Sequence, residues 1–211
     1  SFAETPGIVA PEGIYLAGST LWYPQLAGDQ AGQLVTYSFT VNTPEGWHII
    51  APGNGVSTGP DGMARWDTPS AVDEISVAGG PLTPYATSAS LAPNAVEAQV
   101  YLRKPDPALA SKYLDATSRY LRMYNELIGA YPYRKFALVE NFWETGYGTP
   151  PYTLLGPQVI RFPFILSSSY PHDILHNGWA NSVYVDYLTG NWCEGLTAYL
   201  ADHLMKEIEG S

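Results

Sequence analysis

The chain has 211 residues and a formal charge of −10, from ten lysine and arginine residues against twenty aspartate and glutamate residues. Hydrophobic residues make up 45% and aromatic residues 13%, a composition that indicates a folded protein and excludes a disordered one. The acidic balance without a basic cluster argues against nucleic acid as a partner, and no apolar run is long enough for a membrane span. One cysteine, Cys193, excludes a disulfide framework and a cysteine-rich metal site.

The first hundred residues predict short strands separated by turns. They hold nine acidic residues and one basic residue, and glycine and proline are frequent. The run Leu34–Val41 alternates β-branched and aromatic residues, as a half-buried strand does. Further strands are expected within 13–22 and 47–51, and Gly59-Pro60-Asp61-Gly62 is a turn sequence. We therefore predict a β-rich, antiparallel N-terminal segment over residues 1–92.

Near residue 93 the pattern changes to helices and strands in alternation. Asp106-Pro107 supplies an N-cap with proline at the first helical position, and apolar residues at helical spacing follow up to Gly129. Asn191 caps a last helix that ends at Gly210. The remaining predicted elements are a helix through His172 and His176 and three strands, at 96–102, 135–139 and 152–155. The predicted fold class is α+β.

Two histidines four residues apart are the sharpest chemical signal. In Pro171–His176, with the sequence P-H-D-I-L-H, both imidazoles would lie on one side of a helix, close enough to bind one small cation. A polar helix face, or histidines satisfied by hydrogen bonds, explains the pair equally well. The spacing alone leaves the two interpretations open.

Glu194 also has two interpretations. A carboxylate at the start of the last helix would complete a His-His-Glu set and leave a fourth zinc position open for water. The same residue stands three positions after Asn191, where a capping box places a side chain that bonds back to the cap. Taken alone, Glu194 is better explained by the cap.

The composite pattern resembles the aminopeptidase N-type zinc metallopeptidases, members of the gluzincin group. Residues 172–183 and 191–196 are similar to the family pattern H-E-x-x-H, then W-x-G-N-x-V, then E-G. Residues 131–135 and Val139-Glu140-Asn141 are similar to the lead-in of the family's catalytic domain. The resemblance implies a β-domain segment over 1–92 and the α+β part of a thermolysin-like metallopeptidase domain over 93–211.

The resemblance also implies a set of site residues. One zinc ion would be bound by His172, His176 and Glu194, with Asp173 as the general base. Glu140 is the best match to the glutamate that binds a substrate's amino terminus, although a polar residue at a strand end explains it as well. The same cleft is predicted to be lined by Gly146, Tyr147, Gly148 and Thr149. A turn at these residues would explain their sequence equally well.

Three departures from the family pattern bear on activity. Asp173 replaces a glutamate and is one methylene shorter, and a displacement near 1 Å can cost about a hundredfold in rate. The interval between His176 and Glu194 is one residue shorter than usual. The family's oxyanion-stabilising tyrosine lies in a helical region beyond the third ligand, and the chain ends 17 residues after Glu194. The resemblance is therefore to a truncated or fragment form.

The function predicted from the sequence is a zinc-dependent, aminopeptidase-like hydrolase that cleaves peptide bonds through a zinc-activated water. The alternatives are a catalytically impaired zinc-binding domain and a promiscuous zinc hydrolase that acts on esters. The expected partner is a peptide or a small amide or ester substrate, without nucleic acid or a membrane span. Substrate specificity, oligomeric state and compartment, exported or cytoplasmic, stay open. His203 is expected in the core, and Cys193 as a buried thiol.

Overall fold

The computed structural model describes residues 7–27, 33–68, 70–91, 94–179, 182–186, 188 and 190–210. In this part of the chain, strands form three sheets and helices follow in the second half. The strands are β1 (Gly7–Ala10), β2 (Gly13–Leu16), β3 (Ser38–Asn42), β4 (Trp47–Ile50), β5 (Asn54–Val56), β6 (Met63–Asp67), β7 (Val77–Pro81), β8 (Thr83–Ser90), β9 (Ala95–Leu102), β10 (Lys135–Glu140), β11 (Gly146–Thr149) and β12 (Tyr152–Leu155). The α-helices are α1 (Pro107–Ile128), α2 (Ser169–Leu175), α3 (Trp192–Ala198) and α4 (Leu204–Glu209).

Two antiparallel sheets form the first part of the molecule. One has the order β1-β2-β7-β4 and the other β3-β6-β5. Trp66 joins them, because its ring is buried and its indole N–H donates to the carbonyl of Ile49 at 2.9 Å. In the run Leu34–Val41, which is predicted to be a strand, regular pairing begins only at Ser38, after an isolated bridge between Val35 and Val72. The β-rich character predicted for this part of the sequence is confirmed.

A mixed five-stranded sheet, in the order β11-β12-β10-β9-β8, forms the second part. Strands β9, β10 and β12 are parallel, and the two outer strands are antiparallel to their neighbours. All six residues of β10 are buried, as expected for a parallel strand covered on both faces. With the helices, this sheet confirms the predicted α+β class. The predicted boundary between the two segments, at residues 92–93, falls in sequence between β8 and β9 of this sheet. Ala92 and Pro93 themselves lie outside the described residues.

Helix α1 covers one face of that sheet. The Asp106 carboxylate accepts the N–H of Leu109 at 3.0 Å, so the predicted N-cap is confirmed, and the helix ends at Gly129 with φ +111°. Tyr113 is buried on the sheet-facing side and its hydroxyl donates to the carbonyl of Ile160 at 2.8 Å. Helix α1 therefore holds both the sheet and the segment that leads into α2.

The last helical region contains a π-helical segment, Tyr199–His203, between α3 and α4. A π turn accommodates one more residue than an α turn, so positions after it rotate relative to the helix before it. Ala201 and Met205 face the core, whereas His203 is exposed and lies 3.6 Å from Glu207. The expectation of a core histidine at His203 was wrong for this reason. None of the helices in the described ranges is both long and apolar enough to cross a membrane.

Candidate metal centre

His172 and His176 are brought together by helix α2. The apolar side of this short helix, which includes Ile174 and Leu175, is buried against the core, so the opposite side carries the imidazoles. The two Nε2 atoms are 3.0 Å apart and the ring planes meet at 73°. Two neutral imidazoles can hydrogen-bond at this distance only if one Nε2 carries a proton. If both Nε2 atoms are unprotonated, a cation is the group that stabilises the pair.

Glu194 closes the third side of this cluster from the first turn of α3. Its carboxylate oxygens lie 3.5 Å from Nε2 of His172 and 3.4 Å from Nε2 of His176. Asn191 caps the same helix by accepting the backbone N–H of Glu194 at 3.5 Å. The cap thus uses the Glu194 main chain, and the side chain is free to face the histidines. The two sequence interpretations do not exclude each other.

The ligand atoms of the three residues lie close enough together to bind one small ion. Ligands about 2.0–2.2 Å from a tetrahedral zinc lie about 3.3–3.6 Å from one another. The two Nε2 atoms are 3.0 Å apart, slightly closer than this range, and each lies 3.4–3.5 Å from a different oxygen of Glu194. One ligand atom from each of the three residues can be chosen so that all lie within 4.8 Å of one another. Two histidines and one carboxylate are also a donor set that zinc takes in catalytic sites. The residues present therefore fit zinc with one position left open.

Contacts behind His176 orient its ring. The Sγ atom of Cys193, which is buried as expected, lies 3.5 Å from Nδ1 of His176, so Nε2 points toward the cluster. The indole N–H of Trp179 donates to the hydroxyl of buried Thr197 at 2.7 Å, and this bond ties the end of α2 to α3. Burial, followed by the neighbouring His172, lowers the pKa of His176 below its ordinary value, which favours the neutral ring that a metal requires.

Asp173 lies between the histidine helix and the five-stranded sheet. The Thr153 hydroxyl donates to one carboxylate oxygen, and the other lies 3.4 Å from the position that a Cβ on Gly148 would take. Burial raises the pKa of Asp173 above its ordinary value, while the Thr153 hydrogen bond and His172 act in the opposite direction. Sequence reasoning missed Thr153, because only the pairing of β12 with β11 places it opposite Gly148.

A cavity of about 380 Å³ opens beside His172. The residues that line it are a glycine, three apolar residues, two serines, a histidine and two aspartates: Gly146, Leu155, Val159, Ile165, Ser168, Ser169, His172, Asp173 and Asp202. Sequence reasoning did not single out Asp202. A larger cavity, of about 600 Å³, lies in the β-rich part around Trp22 and Tyr37 and shares no lining residue with this one.

The predicted substrate residues are distributed unevenly around this cavity. Gly146 lines it and Gly148 faces Asp173, whereas Tyr147 stacks on Tyr15 with ring centroids 5.9 Å apart. Thr149 is the last residue of β11, the strand that also carries these three residues, and it pairs with Tyr152 of β12. Strand β11 therefore contributes Gly146 to the cavity lining, and its Gly148 lies against Asp173.

Glu140 is not among the residues that line the cavity. Its side chain is 3% exposed, and its carboxylate accepts from Nη1 of Arg161 at 2.6 Å and from the backbone N–H of Arg103 at 2.8 Å. Both oxygens are therefore occupied by partners within the protein. Ala180 and Asn181, part of the motif that follows the second histidine, lie outside the described residues.

Comparison with known proteins finds similar solved structures but no matching family model or curated sequence. Among solved structures, an M1 zinc metallopeptidase from Deinococcus radiodurans is similar with a TM-score of 0.68 and 18% identity, over 87% of this chain and 43% of that one. Yeast LTA4 hydrolase is similar with a TM-score of 0.66 and 17% identity, over 93% of this chain and 32% of that one.

A two-domain M1 zinc metallopeptidase mutant bound to L-arginine is also similar, with a TM-score of 0.67 and 17% identity, over 87% of this chain and 43% of that one. The chain spans less than half the length of these proteins. Its fold is similar to that of the matched part of these M1 zinc metallopeptidases. The resemblance to the aminopeptidase N-type family that the sequence predicts is confirmed at this level.

Proposed function

We propose that the chain carries the zinc site of an aminopeptidase-like metallopeptidase and hydrolyses peptide bonds. The observation that supports this most directly is the cluster of His172, His176 and Glu194, whose ligand atoms lie within 4.8 Å of one another in a fold similar to that of zinc metallopeptidases. We also propose that residues 93–211 form a thermolysin-like domain and residues 1–92 a β-rich segment, whose strand β8 pairs with β9 in the five-stranded sheet.

The chemistry divides between the ion and the side chains. Zinc at this position would lower the pKa of a bound water and polarise a substrate carbonyl. Asp173 is the only carboxylate of α2, and its raised pKa suits a group that accepts a proton and later releases it to a leaving amine. Thr153 holds one oxygen of Asp173, which fixes the direction of the other.

Strand β11 is the proposed substrate wall. It is the outermost strand on its side of the five-stranded sheet, so one of its edges is not paired by another strand of the described residues. An extended peptide can add to such an edge through main-chain hydrogen bonds. Gly146 and Gly148 leave that backbone accessible next to His172 and Asp173. This assignment gives β11, rather than Glu140, the main contact with the substrate.

Metal content tests the proposal. The purified protein is expected to hold about one zinc per chain, and His172→Ala and Glu194→Gln to lose it, because each removes one of three ligands. His203→Ala is the matched control, since this exposed histidine lies outside the cluster. A metal-free protein whose thermal midpoint stays unchanged on adding zinc would refute the zinc site.

A zinc-binding domain with impaired turnover is the second candidate function. It is favoured by the short reach of Asp173, whose carboxylate is engaged by Thr153. The wild type and Asp173→Glu are compared on an aminoacyl-anilide and on a simple aryl ester, with and without a chelator. Anilide hydrolysis that only Asp173→Glu performs identifies an impaired site. Chelator-sensitive hydrolysis of the ester alone identifies a promiscuous zinc hydrolase.

A further inference from the structure

We propose that the cavity beside His172 binds a long basic side chain, lysine or arginine, next to the peptide bond that is cleaved, with Asp202 as its counter-ion. The cleavage part of this statement depends on the proposed hydrolase function. The binding part depends only on the shape and charge of the cavity.

The floor of the cavity fits an aliphatic stem. Leu155, Val159 and Ile165 supply it, and Leu155 and Ile165 belong to the buried core, so this surface is fixed in place. Lysine and arginine bury their methylene groups along such surfaces and keep the charged end in water. The volume of about 380 Å³ lies within the range of ligand pockets and exceeds what a small side chain would fill.

The charge of the cavity selects a cation. Asp173 and Asp202 line it together with two serine hydroxyls, and no lysine or arginine is among its lining residues. Asp202 is exposed and has no ion-pair partner within 4.0 Å in the described part of the chain, even though Lys206 follows one turn later. At the Asp202 end an anionic group would be repelled by the carboxylate, whereas an ammonium or guanidinium group gains a charge-assisted hydrogen bond.

Asp202 is the carboxylate that is available for this contact. Asp173 is half-buried, is held by the Thr153 hydroxyl and lies next to Gly148 of β11. Asp202 belongs to the π-helical segment Tyr199–His203, in which Ala201 is fully buried and Asp202 is exposed. Short π segments occur frequently at functional sites, because the extra residue redirects side chains. Asp202, in this π segment, lines the cavity.

Cleavage of matched peptides tests the proposal. The peptides carry lysine or norleucine at each position beside the cleaved bond, since norleucine keeps the stem and lacks the charge. We expect a kcat/KM about tenfold higher for lysine at one of these positions, from one charge-assisted hydrogen bond. Asp202→Asn is expected to remove the preference by lowering the lysine value alone. Asp115→Asn, the same change at an exposed position on α1, is expected to keep it.

A binding measurement separates this proposal from the hydrolase function. Nα-acetyl-lysine amide and Nα-acetyl-norleucine amide are titrated into the zinc-loaded wild type, Asp202→Asn and Asp115→Asn, with the dissociation constant as readout. Tighter lysine binding that is lost only in Asp202→Asn supports the cavity assignment, even if no peptide is cleaved. Equal binding of the two amides, or a lysine preference that survives in Asp202→Asn, overturns it, even if peptides are cleaved.

Discussion

The two oxygens of the Asp173 carboxylate have different neighbours, and this asymmetry bears on catalysis. One accepts from Thr153 on the sheet, and the other lies beside Gly148 of β11. A proton acceptor must be held within hydrogen-bond reach of the proton that it removes. The Thr153 bond fixes the carboxylate in one rotamer and leaves the second oxygen for this purpose.

Asp173→Asn tests that role at the scale of one residue. The amide is similar in size but cannot accept a proton, so hydrolysis is expected to fall by about a hundredfold or more. Zinc content is expected to stay at the wild-type level, because Asp173 is not one of the three clustered ligands. Rates on the best peptide substrate and zinc per chain are measured on the same preparation. A variant with wild-type rates would show that another group accepts the proton.

The spacing of His172 and His176 and the cap at Asn191 could be predicted, because both follow from the local geometry of a helix. Thr153 and Asp202 could not. Thr153 meets Asp173 through the register of two strands, and Asp202 reaches the cavity through a π turn. Neither feature has a periodic signal in the sequence.

At the scale of elements, the pair of Glu140 and Arg161 fixes the end of β10 to the segment after β12. The Glu140 side chain is 3% exposed and that of Arg161 is 42% exposed. The sequence predicted a strand end here, which is confirmed, and a substrate anchor, which stays a prediction. A match of two letters in a motif cannot report that the carboxylate points into the protein.

Arg161→Ala is expected to destabilise the protein by about 3 kcal/mol, because it leaves the Glu140 carboxylate buried without its counter-charge. Urea unfolding measures the change in the free energy of unfolding. Arg122→Ala, which removes an exposed arginine of α1 bonded to its own helix backbone, is the control and is expected to change little. If Glu140 anchors a substrate amine instead, Glu140→Gln raises KM without a loss of stability.

At the scale of the whole molecule, Lys135 links the β-rich part to the five-stranded sheet. It begins β10 and is buried, its amine nitrogen donates to the carbonyl of Ala51 at 2.9 Å, and this nitrogen lies 3.8 Å from the centroid of the Trp66 ring. In the described residues it has no carboxylate within ion-pair distance. A buried amine with these partners makes the contact between the two parts depend on pH.

Burial lowers the pKa of Lys135 well below its ordinary value. Between that lowered pKa and the ordinary value near 10.5, the unfolded chain binds one proton more than the native chain, so this residue makes stability rise with pH. The slope reaches at most about 1.4 kcal/mol per pH unit. Lys135→Met keeps the stem and removes the amine, so the variant is expected to lack this contribution.

Urea unfolding of the wild type and Lys135→Met at pH 7 and pH 9 measures the difference between their slopes. The buried tyrosines, whose raised pKa values make stability fall as pH rises toward 10, are present in both proteins and cancel in the comparison. Lys112→Met, at an exposed position of α1, is expected to follow the wild type. If Lys135→Met has the wild-type slope, the ammonium is charged in the folded protein at both pH values, and Trp66 and Ala51 compensate for its burial.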